Sequence, residues 1–504
     1  MKNALLRLGV LLVLGALALP FILHLAMSRG LSHDEHQHIA AGMLWAREGL
    51  VPYRDYPHFH TPYLAFLYGE FFRWTEHPLL VARAFSALCA TGIVALVGWV
   101  AFSEFRSTRA ALWAALGAIA LCLFSAVFTH TTGRAWNQEP SLLLVVLAFL
   151  AQLHGMRTQR LGWLAASGVL IGLAIGFRIT HAPLIAPFGL AALLWAGGRR
   201  LRAGAAFGSG LLVGLAGVFA LCLLAPEGFL FGNFEFSQVN ITYRFATGEP
   251  RTMTLLRKLR FFGKEVLSPD AGLAVAALVP CIAAAWQMRR MGQRLRIELR
   301  FLLLLLPFVL MGALAPSPVF KQYFYALTPF LALAGIFALA ALPAGSRTAR
   351  IGWIAAAAGL LLSVGFNVRE YKDLPELFSA SKWTTVKIHN QAQALRALPA
   401  QSPILTLAPI LPLEAGLSIY PSFATGPFAW RIAPYVEPAK AARLRIITIS
   451  TLTAYLDAAP PAGILLGMEK RGEDLLADYA RQRDYKPTPL EDGLVLWLYP
   501  PCQP

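Results

Sequence analysis

Long apolar runs separated by short polar segments make up most of this chain. About 20 apolar residues suffice to cross a bilayer, so these runs predict membrane-spanning helices. Eleven are predicted, at residues 4–27, 78–102, 110–128, 140–154, 161–177, 182–196, 203–225, 271–286, 301–315, 323–342 and 351–366. The first run also fits a signal peptide, but no A-x-A cleavage site closes it, which favours a retained helix. The pattern predicts a mostly α-helical, polytopic transmembrane domain over residues 1–366.

The apolar pattern changes after residue 366. Helical stretches alternate there with short apolar runs, at residues 384–398, 404–407, 439–457, 464–466, 473–482 and 494–498. Such alternation of helix and strand is typical of α/β architecture. We therefore predict a small C-terminal α/β domain over residues 367–504, outside the membrane.

Basic residues concentrate in alternate loops between the predicted spans. The chain is 57% hydrophobic and carries a formal net charge of +17. The basic loops contain Arg106, Arg109, Arg157, Arg160, Arg199, Arg200, Arg202, Arg289, Arg290, Arg294, Arg296, Arg300, Arg347 and Arg350. Cytoplasmic loops are enriched in Lys and Arg, which places these loops and the N-terminus in the cytoplasm and residues 367–504 on the outer face. Topology therefore explains the charge, and a nucleic-acid partner is not indicated.

The polar segment 32–38 directly follows the first predicted span. It holds three histidines and two adjacent carboxylates, and ionisable groups near a bilayer usually serve a function. Ser32 and Glu35 have the spacing of a capping box, so an amphipathic helix is predicted to begin here and lie along the membrane surface. Glu35 is then either a cap or a catalytic acid, whereas Asp34 lies free at a helix N-terminus that favours phosphate. A divalent metal is a further option for His33, His36 and His38.

The outer loops hold further polar residues in apolar surroundings. Three prolines interrupt helix formation in residues 51–62, which therefore form either a polar site or a membrane anchor. Candidate binding residues in this loop are Tyr53, Arg54, Asp55, His58 and His60. In the next outer loop, Arg134 can bind a phosphate bidentately, and Glu139 is either a second acid or a helix cap.

Three more cations are predicted on the outer side. They are Arg178, Arg244 and Lys321. Arg178 and Lys321 lie at the ends of apolar runs, where they either bind an anion or snorkel to the interface. Residues 226–270 are predicted as a long polar loop whose aromatic and basic residues suit either a lid over a lipid phosphate or ordinary interfacial packing.

Three groups of outer-loop residues form a recognisable pattern. They are Asp34-Glu35-x-x-His38 with Gly49-x-x-Pro52-Tyr53-x-Asp55 and His60-x-Pro62; Gly133-Arg134-Ala135-Trp136-Asn137-Gln138-Glu139; and Lys321-Gln322-Tyr323-Phe324-Tyr325. The pattern resembles the GT-C glycosyltransferases. It is most similar to the branch that contains the bacterial aminoarabinose transferase of lipid A and the protein O-mannosyltransferases.

The resemblance implies an inverting glycosyltransferase of the cell envelope. Its donor would be a polyprenyl phosphate sugar and its acceptor a lipid, glycan or protein at the outer face of a bacterial inner membrane. Asp34 would take or orient the acceptor proton, with Glu35 as its catalytic neighbour. The helix N-terminus lowers the pKa of Asp34, whereas a nearby carboxylate raises it. The lipid phosphate that leaves needs positive charge, and Arg134, Arg178, Arg244 and Lys321 are the candidates, with Asn137 and Tyr323 completing the site.

Two alternatives stay open from the sequence. One is a transporter or flippase of lipid-linked sugars, which would need polar groups deep within several helices. The other is a polymerase or ligase of lipid-linked oligosaccharides, which shares the donor chemistry. No cofactor other than a divalent metal is indicated.

Overall fold

The computed structural model describes residues 2–195, 199–249, 253–399, 403–469 and 471–499. The end of predicted run 182–196, part of the predicted loop 226–270 and the end of the C-terminal domain lie outside these residues.

The described helices before residue 270 are α1 (Lys2–Ser28), α2 (His33–Glu48), α3 (Tyr63–Phe72), α4 (Pro78–Glu104), α5 (Thr108–Leu123), α6 (Ala126–Thr131), α7 (Gln138–Thr158), α8 (Leu161–Phe177), α9 (Ile185–Trp195), α10 (Arg200–Leu224), α11 (Pro226–Leu230), α12 (Phe236–Ala246) and α13 (Leu255–Phe261). The later ones are α14 (Ala271–Arg290), α15 (Ile297–Leu314), α16 (Leu327–Ala341), α17 (Arg347–Asn367), α18 (Thr384–Gln393), α19 (Ile410–Glu414), α20 (Pro427–Ile432), α21 (Pro438–Arg443), α22 (Ile449–Ala458) and α23 (Asp474–Gln482).

The described helices include eight that are long and apolar enough to cross a membrane. Three shorter apolar helices, Thr108–Leu123, Leu161–Phe177 and Ile179–Trp195, lie where the remaining spans were predicted. Their apolar side chains form one large buried cluster with α1, α4, α7, α15 and α16. The prediction of a mostly helical, multi-pass membrane protein is confirmed.

The predicted run 110–128 is interrupted rather than continuous. The backbone leaves the helix at Phe124, and Ser125 caps α6 by accepting a hydrogen bond from the Phe128 N–H at 3.2 Å. The Asp270 carboxylate accepts a second bond from the Val127 N–H at 3.1 Å. A buried acid therefore satisfies amide groups that a straight helix would have paired internally.

The segment after α10 is helical, so the prediction of a long polar loop is wrong. Two π-helical turns, Phe231–Glu235 and Phe262–Leu267, continue α11 and α13. The first turn packs against the loop 51–62 at a glycine: a Cβ on Gly232 would lie 2.0 Å from the His58 carbonyl oxygen. Close backbone contact, rather than a polar surface, determines the path of this segment.

Helix α2 begins where predicted but does not lie on a surface. The capping box of Ser32 and Glu35 is present, with the Ser32 N–H donating to Glu35 Oε2 at 2.9 Å. Every residue from Glu35 to Leu44 is buried, because α3 packs on one side and α19 contacts the other. The helix expected on the surface is therefore an internal helix covered by the C-terminal region. The hydrophobic periodicity of α2 alone could not predict that contact.

The C-terminal region contains a four-stranded sheet in the order β1-β2-β4-β3. Its strands are β1 (Ile404–Thr406), β2 (Gly463–Leu466), β3 (Lys486–Pro489) and β4 (Val495–Leu498), and only the β1–β2 pair is parallel. The sequence predicted three of these strands but not β3, an exposed edge strand with two prolines. The predicted helix 439–457 is divided into α21 and α22, since Arg445 between them has a left-handed φ of 57°.

Ion pairs join this C-terminal region to the helical segment that follows α10. Arg443 Nη2 lies 2.9 Å from Glu227 Oε1 on α11, and Lys440 pairs with Glu235. The Arg47 guanidinium at the end of α2 donates to the Leu413 and Leu417 carbonyl oxygens at 3.4 Å. Together with α19, which contacts α2, these interactions hold the C-terminal region over that helix.

Candidate active site

A cavity of about 660 Å³ opens at the N-terminal end of α2. Its polar lining comes from six parts of the chain, and its walls also carry phenylalanine and proline side chains. The polar residues include Ser32, His33, Asp34, Gln37, His38, His60, Arg134, Asn137, Gln138, Arg178, Asn233, Asn240, Arg244 and Tyr323. The apolar residues include Phe59, Pro183, Phe234, Phe236, Pro316, Pro318, Phe320 and Phe428.

Asp34 presents its carboxylate to this cavity from the first turn of α2. The side chain is 31% exposed, and His33 Nε2 lies 3.9 Å from Oδ1, which is beyond hydrogen-bond distance. Burial raises the pKa of Asp34 above its usual range, and Glu35 adds to this, while His33, Arg134 and Arg431 act in the opposite direction. Burial is thus the largest of these effects on the pKa of Asp34. Asp34 is therefore a stronger base than an exposed aspartate.

Glu35 is occupied by structural contacts. Both of its oxygens pair with the Arg83 guanidinium, at 2.8 Å each, and the Ala135 N–H donates to Oε1 at 2.9 Å. Burial acts to raise the pKa of Glu35, but the Arg83 charge and the hydrogen bonds lower it below the usual range. Glu35 does not line the cavity. The expectation that it is catalytic is not supported by this geometry, which gives it a capping and cross-linking role.

Arg83 completes this network and was not identified from the sequence. It is fully buried within α4, and its remaining donors bind the carbonyl oxygens of Ala26, Arg29 and Gly30 at 2.7–3.1 Å. A lone charge inside an apolar run was the available signal, because such a charge must find a partner.

Arg178 reaches the cavity from the loop that follows α8. Its Nη1 donates to Asn137 Oδ1 and its Nε to Thr180 Oγ1, both at 2.8 Å. The guanidinium also lies 5.0 Å from the centre of the Tyr323 ring. These contacts fix the group, and Nη2 has no protein acceptor among the residues that the structure describes. Arg178 thus lines the cavity as a fixed cation with one nitrogen free to bind an anion.

Two more predicted cations line the same cavity. Arg134 lies 4.8 Å from the Trp136 ring centre, and Arg244 lies 3.2 Å from Glu249 and 5.5 Å from the Phe320 ring centre. The Nε atoms of both arginines are buried without a hydrogen-bond partner in the described structure. The cavity thus combines one carboxylate with three guanidinium groups.

The histidines of α2 and of the loop that follows it lie in different surroundings. The rings of His38 and His60 lie 4.8 Å apart at the cavity wall, whereas His36 is buried away from it and has an unpartnered Nδ1. Burial lowers the pKa of His60 to about 3, so it is neutral at pH 7. Among the described residues, His33, His36 and His38 do not form a group close enough to share a metal ion.

Four predicted binding residues of the first outer loop, Tyr53, Arg54, Asp55 and His58, do not line the cavity. Tyr53 and Asp55 hold the turn of their loop, where Asp55 Oδ2 accepts from the Val51 N–H at 2.7 Å and pairs with the exposed Arg54 at 2.7 Å. His58 is buried behind this turn. These residues position the loop that carries His60, and do not reach the cavity themselves.

Glu139 and Lys321 also differ from expectation. Glu139 is fully buried and accepts the Gly133 N–H at 3.1 Å, so it stabilises the loop rather than the cavity surface. Gly133 has φ of +90°, and a Cβ there would lie 2.5 Å from the Ala26 backbone. Lys321 interacts with Asp270 and does not line the cavity, although Tyr323 beside it does.

Comparisons with known proteins agree with this architecture. The sequence model of a family described as dolichyl-phosphate-mannose-protein mannosyltransferase matches residues 59–223. A crystal structure of ArnT from Cupriavidus metallidurans bound to undecaprenyl phosphate is 14% identical, with a TM-score of 0.59 over 98% of both chains. The apo state of that protein is also 14% identical, with a TM-score of 0.61 over 98% of this chain and 97% of the other. A search of curated proteins gives no significant match.

These similarities bear on the sequence predictions in different ways. The predicted resemblance and the fold class are confirmed, and the prediction of a membrane glycosyltransferase is supported by the family match. The matched family residues include His60, Arg134, Asn137 and Arg178, but not Asp34, which precedes them.

The buried Glu35–Arg83 pair should stabilise the fold strongly. We expect Glu35→Gln to lower the free energy of unfolding by about 3–5 kcal/mol, because it leaves the Arg83 charge uncompensated. The exposed Glu70–Arg73 pair, at 3.0 Å, is the matched control, and Glu70→Gln should cost about 0–1 kcal/mol. Thermal unfolding of the purified variants measures both. A Glu35→Gln protein with normal stability but no activity would instead restore Glu35 as a catalytic group.

Proposed function

We propose that this protein transfers a sugar from a polyprenyl phosphate donor to an acceptor at the outer face of its membrane, with inversion of the anomeric carbon. The observation that carries the proposal is that Asp34, Arg134, Arg178 and Arg244 line the same cavity. A base and a set of cations are the two components that this reaction requires.

The reaction follows from the chemistry of these groups. Asp34 accepts the proton of the acceptor hydroxyl as its oxygen forms a bond to the anomeric carbon. The bond between that carbon and the phosphate oxygen breaks, and its electron pair leaves with the polyprenyl phosphate. Guanidinium groups stabilise the developing phosphate charge, so no acid is needed for the leaving group. The apolar wall near Phe234 and Pro318 suits the first isoprene units of the donor.

The acceptor has a separate approach in this proposal. A second cavity of about 610 Å³ shares His33, Arg244 and Phe320 with the first, and its far wall comes from the C-terminal region. Arg431 lies there 3.2 Å from Glu469, and both residues line this cavity. Its charged walls suit a hydrated glycan, lipid head group or protein segment rather than an acyl chain.

We also propose a membrane orientation and a domain division. The N-terminus is cytoplasmic in a bacterial inner membrane, residues 1–366 form the catalytic membrane domain, and residues 367–504 form a periplasmic domain. Single cysteines introduced in a variant without native cysteines test this. Ser381→Cys should react with an impermeant thiol reagent in intact cells, whereas Gln293→Cys should react only after lysis, because basic loops stay inside. The reverse pattern would contradict the orientation.

Asp34→Asn should give a folded protein with little sugar transfer. Asn keeps the size of the side chain and suits a helix start, but removes the charge that takes the proton, a role worth about 10²–10⁴ in rate. Transfer from a polyprenyl phosphate sugar by the purified protein is the measurement. Asp478→Asn makes the same change at an exposed position on α23, away from the cavity, and should transfer normally.

The pH profile gives a second readout of the same group. Transfer should fall as the pH is lowered through the pKa of Asp34, above the usual aspartate range, because only the ionised form is a base. Near-normal transfer by Asp34→Asn, or an unchanged acid limb in that variant, would exclude Asp34 as the base.

Arg178 should hold the donor phosphate. We expect Arg178→Gln to weaken binding of undecaprenyl phosphate by about 2–4 kcal/mol, the scale for losing a charged contact in a buried site. Lys321→Gln is the matched control and should bind normally, since Lys321 lies outside the cavity. Titration of the purified variants with undecaprenyl phosphate in nanodiscs measures both. If only Lys321→Gln bound undecaprenyl phosphate more weakly, the donor phosphate would be assigned to Lys321 instead of Arg178.

A further inference from the structure

A cluster of metal-binding side chains lies apart from the cavity, where the C-terminal region meets the start of α4. It consists of His77, which precedes α4, His389 on α18, and Glu414 at the end of α19. One ligand atom from each residue lies within 4.8 Å of the others. Among the described residues, this is the one group of three or more His, Cys, Asp or Glu side chains whose ligand atoms lie this close together.

The carboxylate of this cluster is held in place before any ligand binds. Glu414 is 2% exposed, and its Oε1 accepts the Leu79 N–H at 2.8 Å. This contact directs Oε2 towards His389, whose Nδ1 lies 2.7 Å away. A buried carboxylate held by a backbone amide is preorganised for an ion, because its orientation costs no further ordering.

The imidazole of His389 is oriented in the same way. Its Nε2 lies 2.8 Å from the side-chain amide of Gln393 one helical turn later. An amide can accept as well as donate, so Gln393 can bind an Nε2–H when Nδ1 binds a metal. Ligands with such a second partner are typical of zinc sites.

His77 is the member that a simple hydrogen bond between His389 and Glu414 does not explain. Its ring centre lies 4.0 Å from that of His389, although its side chain is exposed and free to turn elsewhere. Ligand atoms on a tetrahedral zinc ion lie roughly 3.3 Å apart, given bonds of about 2.0–2.2 Å. On binding an ion, His77 would rotate inwards and the His389 and Glu414 ligand atoms, now 2.7 Å apart, would separate slightly.

We propose that His77, His389 and Glu414 form a binding site for a divalent transition metal of the zinc type. Two imidazoles and one carboxylate match the ligand preference of zinc and leave a fourth position for water. The ion would link the first residue before a membrane helix to two elements of the C-terminal region. It would thus stabilise the packing of the C-terminal region over α2, without contacting the residues of the cavity.

Zinc binding by the full-length protein tests this proposal. The protein is purified without a polyhistidine tag, treated with chelator, and titrated with ZnCl2 by calorimetry. We expect wild type to bind one ion that His77→Ala binds at least tenfold more weakly, and His389→Ala should show the same loss. Because His77 is exposed, its substitution should leave the fold intact. Zinc should also raise the unfolding temperature of wild type more than that of His77→Ala.

A histidine on the other predicted side of the membrane provides the control. His154 is exposed and packs on Trp163 at 4.9 Å between ring centres, so His154→Ala should keep wild-type zinc affinity. Equal zinc affinity in wild type and His77→Ala, or no zinc binding by wild type, would overturn the proposal. Both outcomes are independent of sugar transfer.

Discussion

The buried ion pair between Glu35 and Arg83 is the constraint on which the rest of the site depends. A charge inside a membrane helix is costly unless every donor is satisfied, and Arg83 meets this condition by binding Glu35 and three carbonyl oxygens at the end of α1. Glu35 in turn holds the amide of Ala135. Three segments, the end of α1, the start of α2 and the second outer loop, are thereby joined at one point. Asp34, one residue from this point, has little freedom to move.

The cavity keeps the proposed base, Asp34, apart from the proposed phosphate-binding cation, Arg178, and gives each of them different neighbours. Asp34 is kept basic because burial raises its pKa and no guanidinium in the described part of the chain pairs with it directly, although Arg134 and Arg431 lower that pKa from further away. Arg178 is held by neutral groups, Asn137 and Thr180, which position it without cancelling its charge. A base that formed an ion pair with a phosphate-binding arginine would lose much of its basicity. The arrangement avoids that loss.

The sequence predicted much of the fold and part of the site. Apolar runs predicted the membrane helices, and the capping box predicted the start of α2, because both signals are local. The role of Glu35 could not be decided from the sequence, because its partner Arg83 is distant along the chain. A single charge in an apolar run does not show which residue it pairs with. The same limit applies to Glu139 and Lys321: type and spacing made them candidates, but side-chain direction, which depends on packing, excluded them from the cavity lining.

The C-terminal region contributes more to the site than its sequence indicated. It buries α2, and Phe428 closes the cavity against the ring of His33 at 5.7 Å between centres. Arg431 from the same helix lowers the pKa of Asp34. Removing this cover would therefore change two opposing effects on Asp34 together, since it would expose the carboxylate to water and remove a cation. The basicity of Asp34 is consequently a property of the docked chain, and contacts that fix the docking act on the proposed chemistry without touching a substrate.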